Sequence, residues 1–202
     1  MKHQELHQLD RDDPLRNYRS LFHLPEGVIY LDGNSLGPAP KDVFQKMEKV
    51  LHQEWAEDLI RSWNNAGWWE LTDRLGSMVA KLIGADDDEV VVCDTTSVNL
   101  YKVLHAALSL KPGRNKVIAE ADCFPSDLYV LEGVKSLRPD LEILLEGRDG
   151  SSIPEMLDEQ VAAVLINHVD YRSGTIRDME NLTRQVQEFG GLAVWDLSHS
   201  AG

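Results

Sequence analysis

Cysteine is scarce in this sequence. Its 202 residues include two, Cys93 and Cys123, in neither a CxxC nor a metal-ligand spacing. That excludes a disulfide framework and points to a reducing compartment, the cytoplasm. Basic residues are also few: 20 Lys and Arg face 34 Asp and Glu, a formal charge of −14. A nucleic-acid binder needs clustered cations, so that class is excluded. Adsorption to an anionic membrane is excluded on the same ground. A small anionic cofactor is not, because backbone dipoles hold phosphate in acidic proteins too. No run approaches the roughly 20 apolar residues of a membrane helix. The opening MKHQELHQLDRDD has no apolar segment, so it does not read as a signal peptide. Neither GxGxxG nor GxxxxGKS/T follows a strand-like run, which weakens any nucleotide-binding reading, and there is no GxSxG elbow.

What is present is a packable core. Hydrophobic residues make up 43% of the chain, ordinary for a globular domain. Residues 2–22 read as a helical arm, with Asp12, Asp13 and Pro14 marking a helix start within it. VIYLD at 28–32 is a short apolar run that ends in the turn formers GNSLGP. Apolar spacing of three to four predicts helices over 40–60 and 70–83, with Gly84 as the stop.

From residue 89 the pattern changes. EVVVC (89–93), KVIAE (116–120), LEILLE (141–146), VAAVLIN (161–167) and LAVWD (192–196) read as strands. Helical patterns at 97–110, 125–138 and 177–189, and a weak one at 152–158, lie between them. Continuously apolar strands alternating with helices predict an α/β fold with a mostly parallel sheet flanked by helices. The expected division is 1–85, a helical arm and substrate-side segment, and 86–202, the α/β part. The chain stops directly after a strand-like run, which reads as a truncated end with a further portion missing.

Ligands of an open α/β sheet bind beyond the carboxyl ends of its strands. That rule selects candidates. Thr95, Thr96 and Ser97 bring three hydroxyls and free amides to a helix start, a phosphate cradle or ordinary N-caps. Asp196 ends a strand, with His199 three residues on. Its carboxylate suits a protonated ring nitrogen, a helix cap or a metal. No second His or carboxylate at ligand spacing supports the metal. Phe124 and Asp127 follow another strand end. Phe124 reads as core, or as a platform for a planar ligand. The turn around Ser35 suits close backbone approach. Trp63, Trp68 and Trp69 read as packing, or as a wall for an aromatic substrate.

In combination these segments resemble the aspartate-aminotransferase-type (fold-type I) pyridoxal 5'-phosphate enzymes, and within them the kynureninase family. YLDGNSLGP at 30–38 resembles that family's N-terminal signature. DTTSVNLY at 94–101 is similar to its phosphate loop, FPSD at 124–127 to its ring-stacking segment, and WDLSHSAG at 195–202 to its ring-nitrogen segment. Class V aminotransferases and cysteine desulfurases, the alternatives, share the strand-end Asp. They do not usually join the GNSLG turn to DLSHSAG.

The resemblance implies a large cofactor-binding domain and a cofactor, pyridoxal 5'-phosphate. It implies that Thr96 and Ser97 hold the phosphate and Phe124 stacks on the ring. Asp127 orients the cofactor, Asp196 pairs with the ring nitrogen, and His199 sits beside it. Asn167 is a further contact, and Ser35 and Trp63 border the substrate. The implied reaction is hydrolysis of L-kynurenine or its 3-hydroxy form to anthranilate (or 3-hydroxyanthranilate) and L-alanine, in tryptophan breakdown. The implied assembly is a homodimer, with the N-terminal arm and the 40–60 helix at the subunit contact. The family's Schiff-base lysine lies beyond the Asp segment. None of the nine lysines here follows Asp196, so no catalytic residue is assigned and this chain alone is expected to be inactive.

Overall fold

The computed structural model describes residues 3–201. The chain divides into two compact units, residues 1–72 and 73–202.

The first unit is helical and turn-rich. Helix α1 (His3–Asp12) opens it. The helix expected to begin at Pro14 does not form. Residues 14–17 are turns, followed by a 3-10 turn at Tyr18–Leu21. Asp13 supplies the reason: its Oδ1 accepts from the Leu15 amide at 2.8 Å, a local turn that competes with helix. Helix α2 (Val43–Lys49) runs on into a π-helical segment, Val50–Trp55. Its wider winding shows in the Ala56 and Asp58 amides, which donate to the carbonyls of Leu51 and Gln53. The single helix expected over 40–60 is therefore broken. Leu59, at φ 54°, closes it. The short helix α3 (Ser62–Asn65) follows.

Helix α4 (Leu71–Ile83) ends at Gly84, whose φ of +72° is the left-handed stop expected there. The second unit then builds helix α5 (Thr96–Leu110), strand β1 (Lys116–Glu120), helix α6 (Pro125–Leu137) and strand β2 (Glu142–Glu146). Helix α7 (Ile153–Met156), strand β3 (Val161–Asn167), helix α8 (Met179–Glu188) and strand β4 (Leu192–Asp196) complete it. The four strands pair in parallel in the order β2-β1-β3-β4. This is the expected parallel sheet, and its central strand β3 is buried along its whole length.

Pleating distributes the sheet's side chains between two cores. Val117, Ala119, Ala163 and Leu165 pack with Leu104 of α5 and Leu131 of α6. Ile118, Val164 and Ile166 point the other way, toward Ile153 of α7 and Val186 of α8. Helices thus cover both faces, which is why the strands read as continuous apolar runs.

EVVVC is not a strand. Residues 90–93 take no regular structure, and Val91 is 61% exposed. A strand needs a neighbour's hydrogen-bond ladder, and the described residues pair none with this run. No helix among them is long and apolar enough to cross a membrane.

Candidate functional site

The strand register lines up four polar side chains on the carboxyl edge of the sheet. Glu120 pairs with Glu146, and Asn167 pairs with Asp196. Each is the last residue of its strand, and because Ala119 stands opposite Leu165 the Asn167–Asp196 pair lies one residue beyond the Glu120–Glu146 pair. A cleft of about 470 Å³ opens on the Glu120–Glu146 side of this edge, lined by Glu120, Asp122, Asn167, Asp170, Thr175 and Arg177 but not by Asp196, Asp127, Phe124 or His199.

Asp196 spends one oxygen on its own loop. Its Oδ1 accepts from the Ser198 amide at 2.8 Å and the Ser198 hydroxyl at 2.5 Å. Asp127 lies on the first turn of α6 and is buried, 2% exposed. Burial raises its carboxyl pKa above the usual range, and the charge of Asp196 adds to the rise, against a hydrogen bond from Ser126. Burial likewise pushes the neighbouring Cys123 thiol up to about 12, with the charges of Asp127, Glu120 and Asp196 adding to it. Cys123 is therefore a protonated, inert thiol rather than a nucleophile. These mutual effects put Asp127, Cys123 and Asp196 in one electrostatic neighbourhood.

Phe124 caps α6 and is half exposed, so it is not core. Its ring meets Tyr171 edge-on, with centroids 5.5 Å apart. Tyr171 in turn stacks on His199 at 6.1 Å. Thr96 and Ser97 form the first turn of α5. No side chain caps this terminus, so it presents amides and hydroxyls together, as an anion requires. The preceding Asp94 holds a positive φ of 43° and an ion pair with Lys102.

Asn167, Asp127, Asp196, His199 and Phe124 are thus gathered at the carboxyl edge or in the loops leaving it, and Thr96 and Ser97 open a helix that covers the sheet. Ser35 and Trp63 belong to the first unit. Ser35 donates to Asp32 Oδ1 at 2.7 Å, which fixes the turn. Trp63 contacts Trp68 and Trp69 edge-on at 6.5 and 5.9 Å. No group of three or more His, Cys, Asp or Glu among the described residues is placed to hold a metal.

Sequence reading passed over Glu120, Tyr171, Arg172 and Arg177. Arg177 bridges β1 and β2: its Nη2 lies 2.5 Å from Glu120 Oε1 and 2.6 Å from Glu146 Oε2. The two glutamates outweigh the burial that works against the guanidinium and hold its pKa high. The only signal for these residues was position at a strand end, for Glu120, or in the loop that follows one.

The family model for aminotransferase class-V matches residues 29–202. The chain belongs to the class-V aminotransferase family. Within it, the chain is 48% identical over 199 residues to a kynureninase of Burkholderia mallei and 47% identical over 198 to one of Pseudomonas fluorescens. Each match covers 96% of this chain and 48% of the relative, so the chain spans about half the length of the curated relatives it matches. Among solved structures it resembles a C-DES mutant with glycine covalently linked to the PLP cofactor, at a TM-score of 0.69 and 10% identity, over 94% of this chain and 50% of that one. It also resembles the apo cysteine desulfurase of Thermococcus onnurineus NA1, at a TM-score of 0.58 and 22% identity, over 94% and 46%. These likenesses show the fold of the family.

Proposed function

We propose that this chain binds pyridoxal 5'-phosphate and contributes that site to a hydrolase cleaving L-kynurenine, or its 3-hydroxy form, to anthranilate (or 3-hydroxyanthranilate) and L-alanine. The observation that carries the reading is the grouping of Asp196, Asp127 and Phe124 at the sheet's carboxyl edge, with the uncapped start of α5 on the same domain. The 48% identity to kynureninases supports the substrate.

The donor set fits the cofactor. A flat, anionic, pyridine-based molecule needs an anion cradle, a ring platform and a carboxylate. Thr96 and Ser97 offer the cradle through amide and hydroxyl, Phe124 the platform, and Asp196 the carboxylate. When bound, the cofactor supplies an electron-accepting ring. The negative charge of Asp196 would favour a proton on the ring nitrogen, and Asp127 would help orient the cofactor. Asn167 and His199 border the ring. Ser35 and Trp63 border the substrate, Trp63 with an aromatic wall suited to the aniline ring.

In this reading the protein works as a cytoplasmic homodimer, with the N-terminal arm and the helix from Val43 at the subunit contact. The chain spans about half the length of those kynureninase relatives, so the turnover is proposed for the protein at the full length its gene encodes. The test is direct. The protein is purified at the full length its gene encodes, loaded with pyridoxal phosphate and given L-kynurenine. Anthranilate fluorescence should appear together with alanine. Sulfide released from cysteine, with no anthranilate, would overturn the assignment.

A further inference from the structure

One aromatic ring joins two separate loops of the proposed cofactor site. Tyr171 touches Phe124 edge-on at 5.5 Å and stacks on His199 at 6.1 Å with 26° between planes. Phe124 leaves β1, and His199 leaves β4. These strands are not neighbours, because β3 lies between them. Tyr171 follows β3, so it sits in the sequence position that can reach both.

The segment holding Tyr171 is built to be rigid. Residues 168–177 form a hairpin closed by the Val169–Ile176 bridge. Its tip is tied by Asp170, whose Oδ1 accepts from the amides of Arg172 and Ser173 at 2.9 and 2.6 Å. Those bonds hold the Asp170 carboxyl below its usual pKa. Arg172 anchors the tip to the β1 loop, with Nη2 at 2.8 Å from the Asp122 carbonyl and 3.1 Å from its carboxylate. The same guanidinium lies 5.4 Å from the Tyr171 ring centroid. At the base of the hairpin, Arg177 clamps Glu120 and Glu146.

Yet Tyr171 is 43% exposed, and its hydroxyl makes no hydrogen bond among the described residues. So much fixation around an exposed ring is more than core packing requires. We propose that Tyr171 is a positioning residue: its ring sets the orientation of Phe124 and His199 for the cofactor that the two would contact. This deepens the cofactor reading above and rests on it. The contact is through the ring, so the hydroxyl is dispensable.

The experiment titrates pyridoxal 5'-phosphate into wild type, Tyr171→Phe and Tyr171→Ala, each at full encoded length. Fluorescence quenching reads affinity. Induced circular dichroism reads whether the bound cofactor is held in one orientation. Tyr171→Phe should bind within about twofold of wild type. Tyr171→Ala should bind about tenfold more weakly, because the cofactor must then order the Phe124 and His199 rings itself, and its induced signal should fall. Melting without cofactor should be the same for all three. A Tyr171→Ala protein that matches wild type in affinity and induced signal overturns the proposal. So does a Tyr171→Ala protein whose cofactor-free melting falls, which would make the ring structural. So does a Tyr171→Phe protein as weak as the alanine variant. Wild type that binds no pyridoxal phosphate is a different failure: it sinks the cofactor reading and takes this inference with it.

Discussion

Glu120 Oε2 accepts from both the backbone amide and the side-chain amide of Asn167, at 2.9 and 2.8 Å. One carboxylate oxygen therefore fixes the end of β3 and the orientation of its last side chain. The other oxygen faces Arg177. Removing this carboxylate strips two donors and half of an ion-pair clamp at once. Glu120→Ala should cost about 2–3 kcal/mol, somewhat under the figure for a fully buried pair because Arg177 keeps Glu146. Glu120→Gln, which keeps an acceptor but loses the charge, should cost about 1 kcal/mol. Urea denaturation measures both. Equal stabilities for wild type and Glu120→Ala would show that the clamp contributes nothing.

A second expectation concerns α4 and the run that follows it. A methyl group on Gly76 would lie 1.9 Å from the Val90 carbonyl oxygen. That neighbour is backbone and cannot rotate aside. Gly76→Ala should therefore destabilise by roughly 2–3 kcal/mol, although alanine is the better helix former. A thermal melt that rises on this substitution would mean that residues 90–93 are not held against α4.

Strand-level reading of the sequence succeeded where burial is two-sided. KVIAE, VAAVLIN and LAVWD are strands at the residues expected, because helices on both faces make the positions between the strand ends apolar. The same logic failed for EVVVC. β-branched residues mark a strand only if a partner strand is there to receive its hydrogen bonds, and composition does not reveal the partner. The broken helix after Lys49 was also invisible, since π winding keeps the apolar spacing nearly intact. At the site, Asp196 was singled out as a carboxylate ending a strand, whereas Asn167 came only from the family resemblance, and Glu120, which also ends an apolar strand, was passed over. Tyr171 was passed over too. It sits in the hairpin from His168 to Arg177, where turn residues carry no periodicity, and its importance depends on loops 47 and 28 residues away in the chain.

Asp127 should make stability depend on pH. Its carboxyl pKa is raised in the fold by burial and by Asp196. From its ordinary value of 3.8 up to the raised one, the folded state holds more protons than the unfolded. Stability contributed by this group is therefore lost as pH rises through that window, and the deficit persists at neutral pH. Asp127→Asn removes the titration and nearly keeps the shape. Without cofactor it should melt higher than wild type at pH 7, with the difference vanishing below 3.8. Melting curves that stay parallel from acid to neutral pH would show that Asp127 ionises in the fold as freely as in water.

Asp196→Asn separates the charge of the strand-end carboxylate from its structural duty. Oδ1 holds the Ser198 amide and hydroxyl, while Oδ2 makes no hydrogen bond among the described residues. An asparagine can leave its carbonyl oxygen on Ser198, so the loop after β4 keeps its shape. What changes is the group left to meet a ring nitrogen. A carboxylate oxygen accepts a hydrogen bond and favours a protonated ring. An amide nitrogen donates one and favours the unprotonated ring, which withdraws electrons poorly. Affinity for pyridoxal phosphate should fall only modestly, since the α5 cradle and Phe124 are untouched. Turnover of kynurenine by the full-length protein should fall by about 10²–10³, the scale seen when one preorganised electrostatic contact to the reacting system is removed. The two readouts must diverge. If affinity collapses and turnover per bound cofactor holds, Asp196 binds the cofactor without tuning it.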